Sequence, residues 1–485
     1  MKIISILLLS LYLFINLAFS QNNIQLAIDK FANDAELKFG SVSFAVIDLE
    51  SGELISSVNK DLTIPTASTA KLFSTATALE ILGSTYQPKT FIFYDGVIDS
   101  SGTLKGNIWI KGGGDPTLGS KYFYDDENQT AFLKNWMNAI KNIGIKRIEG
   151  AIIADASDFG YNGAPDGWNW GDLGNYYGAG PSGLTIFDNL VEFHFSTSSI
   201  AGQPTKLINI KPEILNFTFH NYILSSNKSG DNSYIYGAPY SLDRFGTGTL
   251  PINNKDFNVK GSIPDPEFQT AYEFYKLLSE NNISVNEGPK AVRQLEINSP
   301  KKELLKLIYE NKGPELIEII NLTNHKSINL YAEHMLTLIA YEKTGLGSIE
   351  NGISTLENYW QGKINTDGLH INDGSGLSRT NAISAQNYVN LLQYMTKSKN
   401  AELFKNSLPI AGVSGTLRSV CRGQSAENRM YAKSGTMSRI KSYAGYIDGK
   451  SGKKYAFALI ANNYESSATV IRQKMEAVFN AIANQ

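Results

Sequence analysis

The chain has 485 residues, of which 42% are hydrophobic and 19% charged. That length is too great for one ordinary core and calls for two or three domains, and the composition excludes a disordered chain. A formal net charge of -2, with no run of lysine or arginine, argues against a nucleic-acid partner.

The amino terminus reads MKIISILLLSLYLFINLAFSQ. Lys2 is a short positive region, an apolar run follows, and Ala18-Phe19-Ser20 offers small residues for cleavage. Residues 1–20 are thus expected to be a signal peptide, cleaved after Ser20, on an exported protein of the periplasm. The competing reading is an uncleaved anchor. No later segment is apolar and long enough to span a bilayer, so no integral membrane segment is expected after cleavage.

Residues 22–39 show an amphipathic helical pattern. Residues 42–48 and 54–58 read as two strands of a hairpin around Glu50-Ser51-Gly52-Glu53. After Pro65 a helix is predicted from Ser68 to Leu82, stopping at Gly83. From about residue 90 to 296 short alternating runs are broken by Gly, Asp, Asn and Pro, a β-rich texture. Gly112-Gly113-Gly114-Asp115-Pro116 lacks a trailing Gly-Lys-Ser/Thr, which makes it a turn after a strand and not a phosphate loop. Helices are predicted at 266–281 and again from Lys302. The chain closes with strands at 443–448 and 454–461 and a helix at 467–483. Both ends are built of hairpin and helix, so they can share one antiparallel sheet with the middle inserted.

The single cysteine, Cys421, cannot form an internal disulfide and lies in the polar loop Val420-Cys421-Arg422-Gly423. His325 and His334 are nine apart without a third ligand nearby and read as structural, so neither a metal nor a cofactor is expected.

Ser68 and Lys71 are three residues apart, nearly one helical turn, and share a face. A serine hydroxyl is a weak nucleophile that needs a base within reach, and a lysine serves when burial or a neighbouring cation lowers its pKa. Alone, Ser-x-x-Lys equally describes a helix cap and a solvated lysine. Two further clusters change that balance. Ser327-Ile328-Asn329 opens a predicted helix with a hydroxyl and an amide. Lys433-Ser434-Gly435-Thr436 lies on an extended stretch with a cation, two hydroxyls and a glycine that admits a ligand to the strand backbone. Ser-x-x-Lys, Ser-x-Asn and Lys-Ser-Gly in this order form the three-motif signature of penicillin-binding proteins and class A β-lactamases.

With these motifs the chain resembles the class C low-molecular-mass penicillin-binding proteins, the D-alanyl-D-alanine carboxypeptidase/endopeptidase family. The resemblance also covers Gly112 to Leu118, Ala154 to Phe159, Asp373 to Arg379 and Pro409 to Gly412. It departs at Ser434, where threonine is commoner; the hydroxyl is kept. The long insertion between Ser68 and Ser327 is a mark of this family that β-lactamases lack.

The resemblance implies a mixed α/β fold: a β-lactamase-like transpeptidase domain with an antiparallel sheet flanked by helices, plus inserted β-rich domains. The implied division is a catalytic domain of residues 21–87 and 302–485, an inserted domain of 88–175 and 255–301, and another of 176–254. It further implies Ser68 as nucleophile, Lys71 as base, Lys433 as nearby cation, Ser327 as proton relay and Asn329 as orienting amide. Ser434, Gly435 and Thr436 would bind the substrate carboxylate, and Asp155 and Arg379 the polar end of a diaminopimelate side chain. Peptidoglycan stem peptides and β-lactams would be the partners. No Gly-x-Ser-x-Gly elbow supports a Ser-His-Asp hydrolase. A β-lactamase and a catalytically silent peptidoglycan-binding protein stay open as alternatives.

Overall fold

The computed structural model describes residues 23–295 and 304–485. The expected signal peptide lies outside them, as does the expected domain boundary at residues 301 and 302. The described chain forms two compact units. The first takes the chain up to Ile81, Ile320–Ile328 and Leu356–Gln485; the second takes Leu82–Ile319 and Asn329–Thr355.

The first unit is built on a five-stranded sheet. Its strands are β1 (Ser41–Asp48), β2 (Leu54–Val58), β3 (Met430–Met437), β4 (Ile440–Asp448) and β5 (Lys454–Asn462), in the order β2-β1-β5-β4-β3. Every neighbouring pair is antiparallel. The hairpin near the start of the chain and the strands near its end therefore share one sheet, as their pattern predicts. Phe44 pairs with Leu459 and Lys433 with Ala444.

Seven of the eight residues of β1 are buried, because helices cover both faces. Val42, Phe44, Val46, Phe457 and Leu459 pack with Met475 and Phe479 of the helix Ala468–Ala483. On the other face Ser43 Oγ accepts from the Ala385 amide at 3.1 Å, at the start of the helix Ala385–Lys397. Each fully buried Phe or Leu contributes about 1.5–3 kcal/mol. Cys421 belongs to this core and is buried, not set in an open polar loop; burial pushes its thiol up to about 12.

The second unit is β-rich. Its largest sheet runs Pro289–Ala291, Ile152–Asp155, Ile108–Gly113, Lys89–Tyr94 and Lys306–Lys312. Here the helix predicted from Lys302 is corrected: residues 296–303 lie outside the described chain, and Lys306–Lys312 is an edge strand paired with Lys89–Tyr94. Helical structure begins only at Leu316. The run KLIYENK offers no helix-length apolar stripe, so pairing with a preformed edge decides its conformation. Gly114, at φ +78°, separates Ile108–Gly113 from the strand Asp115–Leu118, which pairs in parallel with Leu184–Ile186. The helices Ala131–Asn142 and Pro266–Glu280 supply Trp136 and Phe274, which meet edge-on in this unit's core.

Candidate active site

Ser68 stands on a tight turn. A 3-10 turn spans Ala67–Ala70, and the α-helix starts at Lys71. The α-helix thus begins three residues later than its pattern suggests, after a 3-10 turn at whose head Ala67 adopts a left-handed φ of +50°. An alanine in that region is strained, and such strain is kept where surrounding structure enforces it. Thr66 and Thr69 brace the turn. The Tyr388 hydroxyl lies 2.9 and 3.0 Å from their side-chain oxygens, and Thr69 Oγ1 is 3.0 Å from Ser442 Oγ on β4.

Lys71 is fully buried. Its Nζ lies 2.9 Å from Ser68 Oγ and donates to the Ser375 carbonyl at 2.7 Å. One turn further, Ser74 Oγ donates to the Gly374 carbonyl at 2.8 Å. The loop of residues 373–381 is thereby sewn to the helix that begins at Lys71. Asp373 shapes this loop: its carboxylate accepts from the amides of Gly376 and Ser378 at 2.7 and 2.6 Å and from Asn381 Nδ2 at 2.8 Å. Gly376, at φ +79°, leaves no room for a side chain, since a β-carbon there would stand 2.0 Å from the Ala67 carbonyl.

Lys433, on β3, is also fully buried. Its Nζ donates to Ser327 Oγ at 2.8 Å and to the Ser434 carbonyl at 2.9 Å. Burial first, then the charges of Lys71 and Lys441, hold its pKa well below the ordinary lysine range. Ser327 itself is left-handed, at φ +60°. The segment before it is fixed from behind, with Asn324 Nδ2 donating to Ser407 Oγ at 2.9 Å. Two serine–lysine pairs are thus built from three separated stretches of sequence. The Ser434 hydroxyl donates to Thr416 Oγ1 at 2.8 Å, and exposed Thr436 accepts from Lys441 Nζ at 2.6 Å. Burial and then Arg472 lower Lys441 to about 8.

The structure brings Ser68, Lys71, Ser327, Lys433, Ser434, Gly435 and Thr436 into one unit. Arg379 belongs there too: it is exposed, with its guanidinium 3.4 Å from the Ser438 carbonyl just beyond β3. Asn329 and Asp155 belong to the second unit. Asn329 opens the helix Asn329–Thr344, and its Nδ2 donates to the Tyr177 carbonyl at 2.8 Å. Asp155 is buried, 3.2 Å from Lys111 Nζ, and accepts from the Ser157 amide and hydroxyl. Among the described residues no cluster of three or more His, Cys, Asp or Glu could hold a metal ion. His334 is buried between Thr185 Oγ1 and the Gly114 carbonyl, at 2.8 and 3.0 Å.

Sequence reasoning missed Ser375, Thr416 and Lys441. A carbonyl carries no residue signature, and Thr416, on a 3-10 turn, and Lys441, on β4, sit outside any motif, so only their contacts in the folded chain reveal them.

Comparison with known proteins adds the following. The family model described as the D-Ala-D-Ala carboxypeptidase 3 (S13) family matches residues 24–485. A D-alanyl-D-alanine carboxypeptidase of Actinomadura sp. (strain R39) is 27% identical over 463 residues, covering 93% of this chain and 83% of that protein. The D-alanyl-D-alanine carboxypeptidase DacB of Haemophilus influenzae is 24% identical over 439 residues, covering 88% and 86%. The crystal structure of penicillin binding protein 4 (dacB) from Haemophilus influenzae superposes with a TM-score of 0.78 at 22% identity, covering 92% of this chain and 97% of that one.

Proposed function

The chain belongs to the D-Ala-D-Ala carboxypeptidase 3 (S13) family, and from that premise we propose how its own residues carry out serine-type D-Ala-D-Ala peptidase chemistry. Ser68 Oγ attacks the carbonyl carbon of the penultimate D-alanine, and neutral Lys71 Nζ takes the hydroxyl proton. The peptide bond then breaks. The departing amine receives a proton through Ser327, which is hydrogen-bonded to Lys433, and Asn329 orients the assembly. Water hydrolyses the resulting ester on Ser68 and restores the hydroxyl.

The amides of Ser68 and Thr436 would hold the oxyanion. A β-carbon on Gly435 would stand 3.0 Å from the Ser68 nitrogen, which supports placing β3 beside that amide. Ser434 and Thr436 hydroxyls, with Lys433, would receive the terminal carboxylate. Arg379, in the loop of residues 373–381, and Asp155 would hold the far end of a diaminopimelate-containing peptide. Export to the periplasm, with residues 1–20 removed, belongs to the same reading.

The single observation that carries this reading is the 2.9 Å contact between the fully buried Lys71 Nζ and the half-buried Ser68 Oγ. A relative of this fold, penicillin binding protein 4 from Haemophilus influenzae, has been crystallised with a β-lactam, which supports inhibition of this chain by such drugs. The test is incubation of the mature protein with purified muropeptides and identification of the products by mass. Loss of one terminal D-alanine supports carboxypeptidase action, and conversion of cross-linked dimers to monomers supports endopeptidase action. Unchanged muropeptides, from protein that folds, would overturn the reading.

A further inference from the structure

In the second unit three consecutive residues, Phe187, Asp188 and Asn189, hold left-handed backbone, at φ +53°, +56° and +47°. Asparagine and aspartate tolerate that region. A bulky phenylalanine does not, and three such residues in a row make a turn that only surrounding structure can enforce. The turn follows the strand Leu184–Ile186, and all three residues are buried. Asp188 ties it to the helix Asn329–Thr344. The hydroxyl of Tyr331, two residues after Asn329 and fully buried, donates to Asp188 Oδ1 at 2.9 Å. The Lys121 amide donates to Oδ2 of the same carboxylate at 3.2 Å. Ser120 Oγ lies 2.6 Å from the Tyr331 oxygen. Since the tyrosine proton is committed to Asp188, serine is the donor in that pair.

Asn189 reaches in two directions. Its Nδ2 donates to the Gly180 carbonyl at 3.0 Å and to Thr185 Oγ1 at 3.3 Å. Thr185 Oγ1 stands 2.8 Å from His334 Nε2, and His334 Nδ1 stands 3.0 Å from the Gly114 carbonyl. A carbonyl only accepts, so the His334 ring, kept neutral by burial, carries its proton on Nδ1. Nε2 then accepts from Thr185, whose other acceptor, the Ser182 carbonyl, is more distant at 3.5 Å. The donors run from Asn189 to Thr185 to His334, which lies on the helix that begins at Asn329. The second bond of Asn189 closes a ring. Three residues before Gly180, the Tyr177 carbonyl accepts from Asn329 Nδ2 at 2.8 Å. Asn189 is thus joined both to the segment that receives the Asn329 amide and to the helix that presents it.

We propose that the left-handed turn Phe187–Asn189 is the positioning element of Asn329: Asn189 couples the Tyr177–Gly180 segment to the helix, and Asp188, through Tyr331, clamps that helix at its first turn. Both are positioning residues that act through Asn329 and not on the substrate. The consequence for acylation rests on the reading above, in which Asn329 orients the assembly; the placement of Asn329 does not.

The test uses the full mature protein and Asn189→Gly, since glycine accepts the left-handed backbone and only the side chain is lost. Crystal structures of variant and wild type report the placement. The separation between Asn329 Nδ2 and the Tyr177 carbonyl should open beyond about 3.5 Å, outside hydrogen-bond reach; a contact kept at its wild-type length overturns the proposal. Acylation by benzylpenicillin, followed by intact mass, reports the consequence. Asn189→Gly should lower the second-order rate about tenfold or more, as a small misplacement of a site group does. In an Asn329→Ala background it should lower the rate no further, because the turn acts through that residue. The same fold loss in both backgrounds is what general support of the fold would give, and it overturns the proposal. If Asn329→Ala alone leaves acylation unchanged, or the wild type is not acylated, the proposed function is at fault and the crystal structures decide the positioning by themselves. Should Asn189→Gly fail to fold, Thr185→Val, which removes the hydroxyl between Asn189 and His334, takes its place in both measurements under the same criteria.

Discussion

Gly435 and Ser68 approach so closely that a β-carbon on residue 435 would stand 3.0 Å from the Ser68 amide nitrogen. The same atom would lie 2.4 Å from the Thr66 carbonyl and 2.3 Å from Ser442 Oγ. The lysine strand and the serine turn are therefore in direct backbone contact. Gly435→Ala must push them apart. The expected result is a loss of about 1–3 kcal/mol of stability from overpacking and a fall of about 10²–10³-fold in penicillin acylation from a misplaced oxyanion donor. Thermal unfolding and the second-order acylation rate measure the two, and unchanged acylation would remove Gly435 from the site.

Ser68→Ala should abolish the mass increase of one drug molecule seen with penicillin. Lys71→Met should slow acylation by about 10²–10⁴-fold, the usual cost of a lost general base. Its stability should hold or rise, since a buried amine is replaced by an apolar chain of similar length. A persistent adduct in Ser68→Ala would reassign the nucleophile.

Arg379→Ala should lower kcat/KM for a diaminopimelate-containing peptide while penicillin acylation stays within about twofold, because remote contacts act only on a substrate that reaches them. Asp155→Ala should differ in kind. Its carboxylate is buried against Lys111, so the variant should also lose about 3–5 kcal/mol of stability, the cost of breaking a buried pair. The ratio of the two rates, measured beside unfolding, separates recognition from support. An equal fall in both rates for Arg379→Ala would make the arginine structural.

Lys441 titrates near 8 in the folded chain against 10.5 for a free lysine, and Lys433 is shifted in the same direction. Between pH 8 and 10.5 the unfolded chain therefore binds more protons than the folded one. Stability contributed by these groups rises with pH across that window, by about 1.4 kcal/mol per pH unit for each group while it titrates. Denaturant unfolding of wild type and Lys441→Met should show the difference between them changing over this range. A difference that stays flat with pH would refute the shift.

His334 acts with the same sign, in the acid range. Burial lowers it from 6.5 to about 3, so below pH 6.5 only the unfolded chain takes up its proton. Its contribution is intact above pH 6.5 and is lost as pH falls toward 3, again by about 1.4 kcal/mol per unit. His334→Gln, which keeps hydrogen-bonding capacity, should unfold less steeply with acid than wild type when followed by circular dichroism.

The parts legible in the sequence were those written in local spacing. Ser68 and Lys71 are three apart, and the turns at Glu50–Glu53 and Gly449–Gly452 separate runs of strand-forming residues, so the serine–lysine pair and the hairpins could be read directly. Lys433 could be placed on an extended stretch because it follows Met430-Tyr431-Ala432 close to the final hairpin. The rest depends on what meets what after folding. The Ser375 carbonyl that holds Lys71 comes from a loop Asp373 organises. Lys306–Lys312 becomes a strand only because Lys89–Tyr94 offers it an edge. The left-handed Ala67 and Ser327 carry no residue-type signal, since glycine or asparagine is the usual choice there.

The pairing of Phe44 with Leu459 sets the order in which this molecule can be made. When β1 leaves the ribosome it can find only β2; its other edge stays open until nearly the whole chain has been synthesised. An open edge is a template for wrong partners, and contacts so distant along the chain form slowly. A chain held unfolded until synthesis is complete avoids that exposure. The serine turn also stays without its neighbouring strand for the same interval, because Lys433 and the strand beside Ser68 are among the last pieces to arrive.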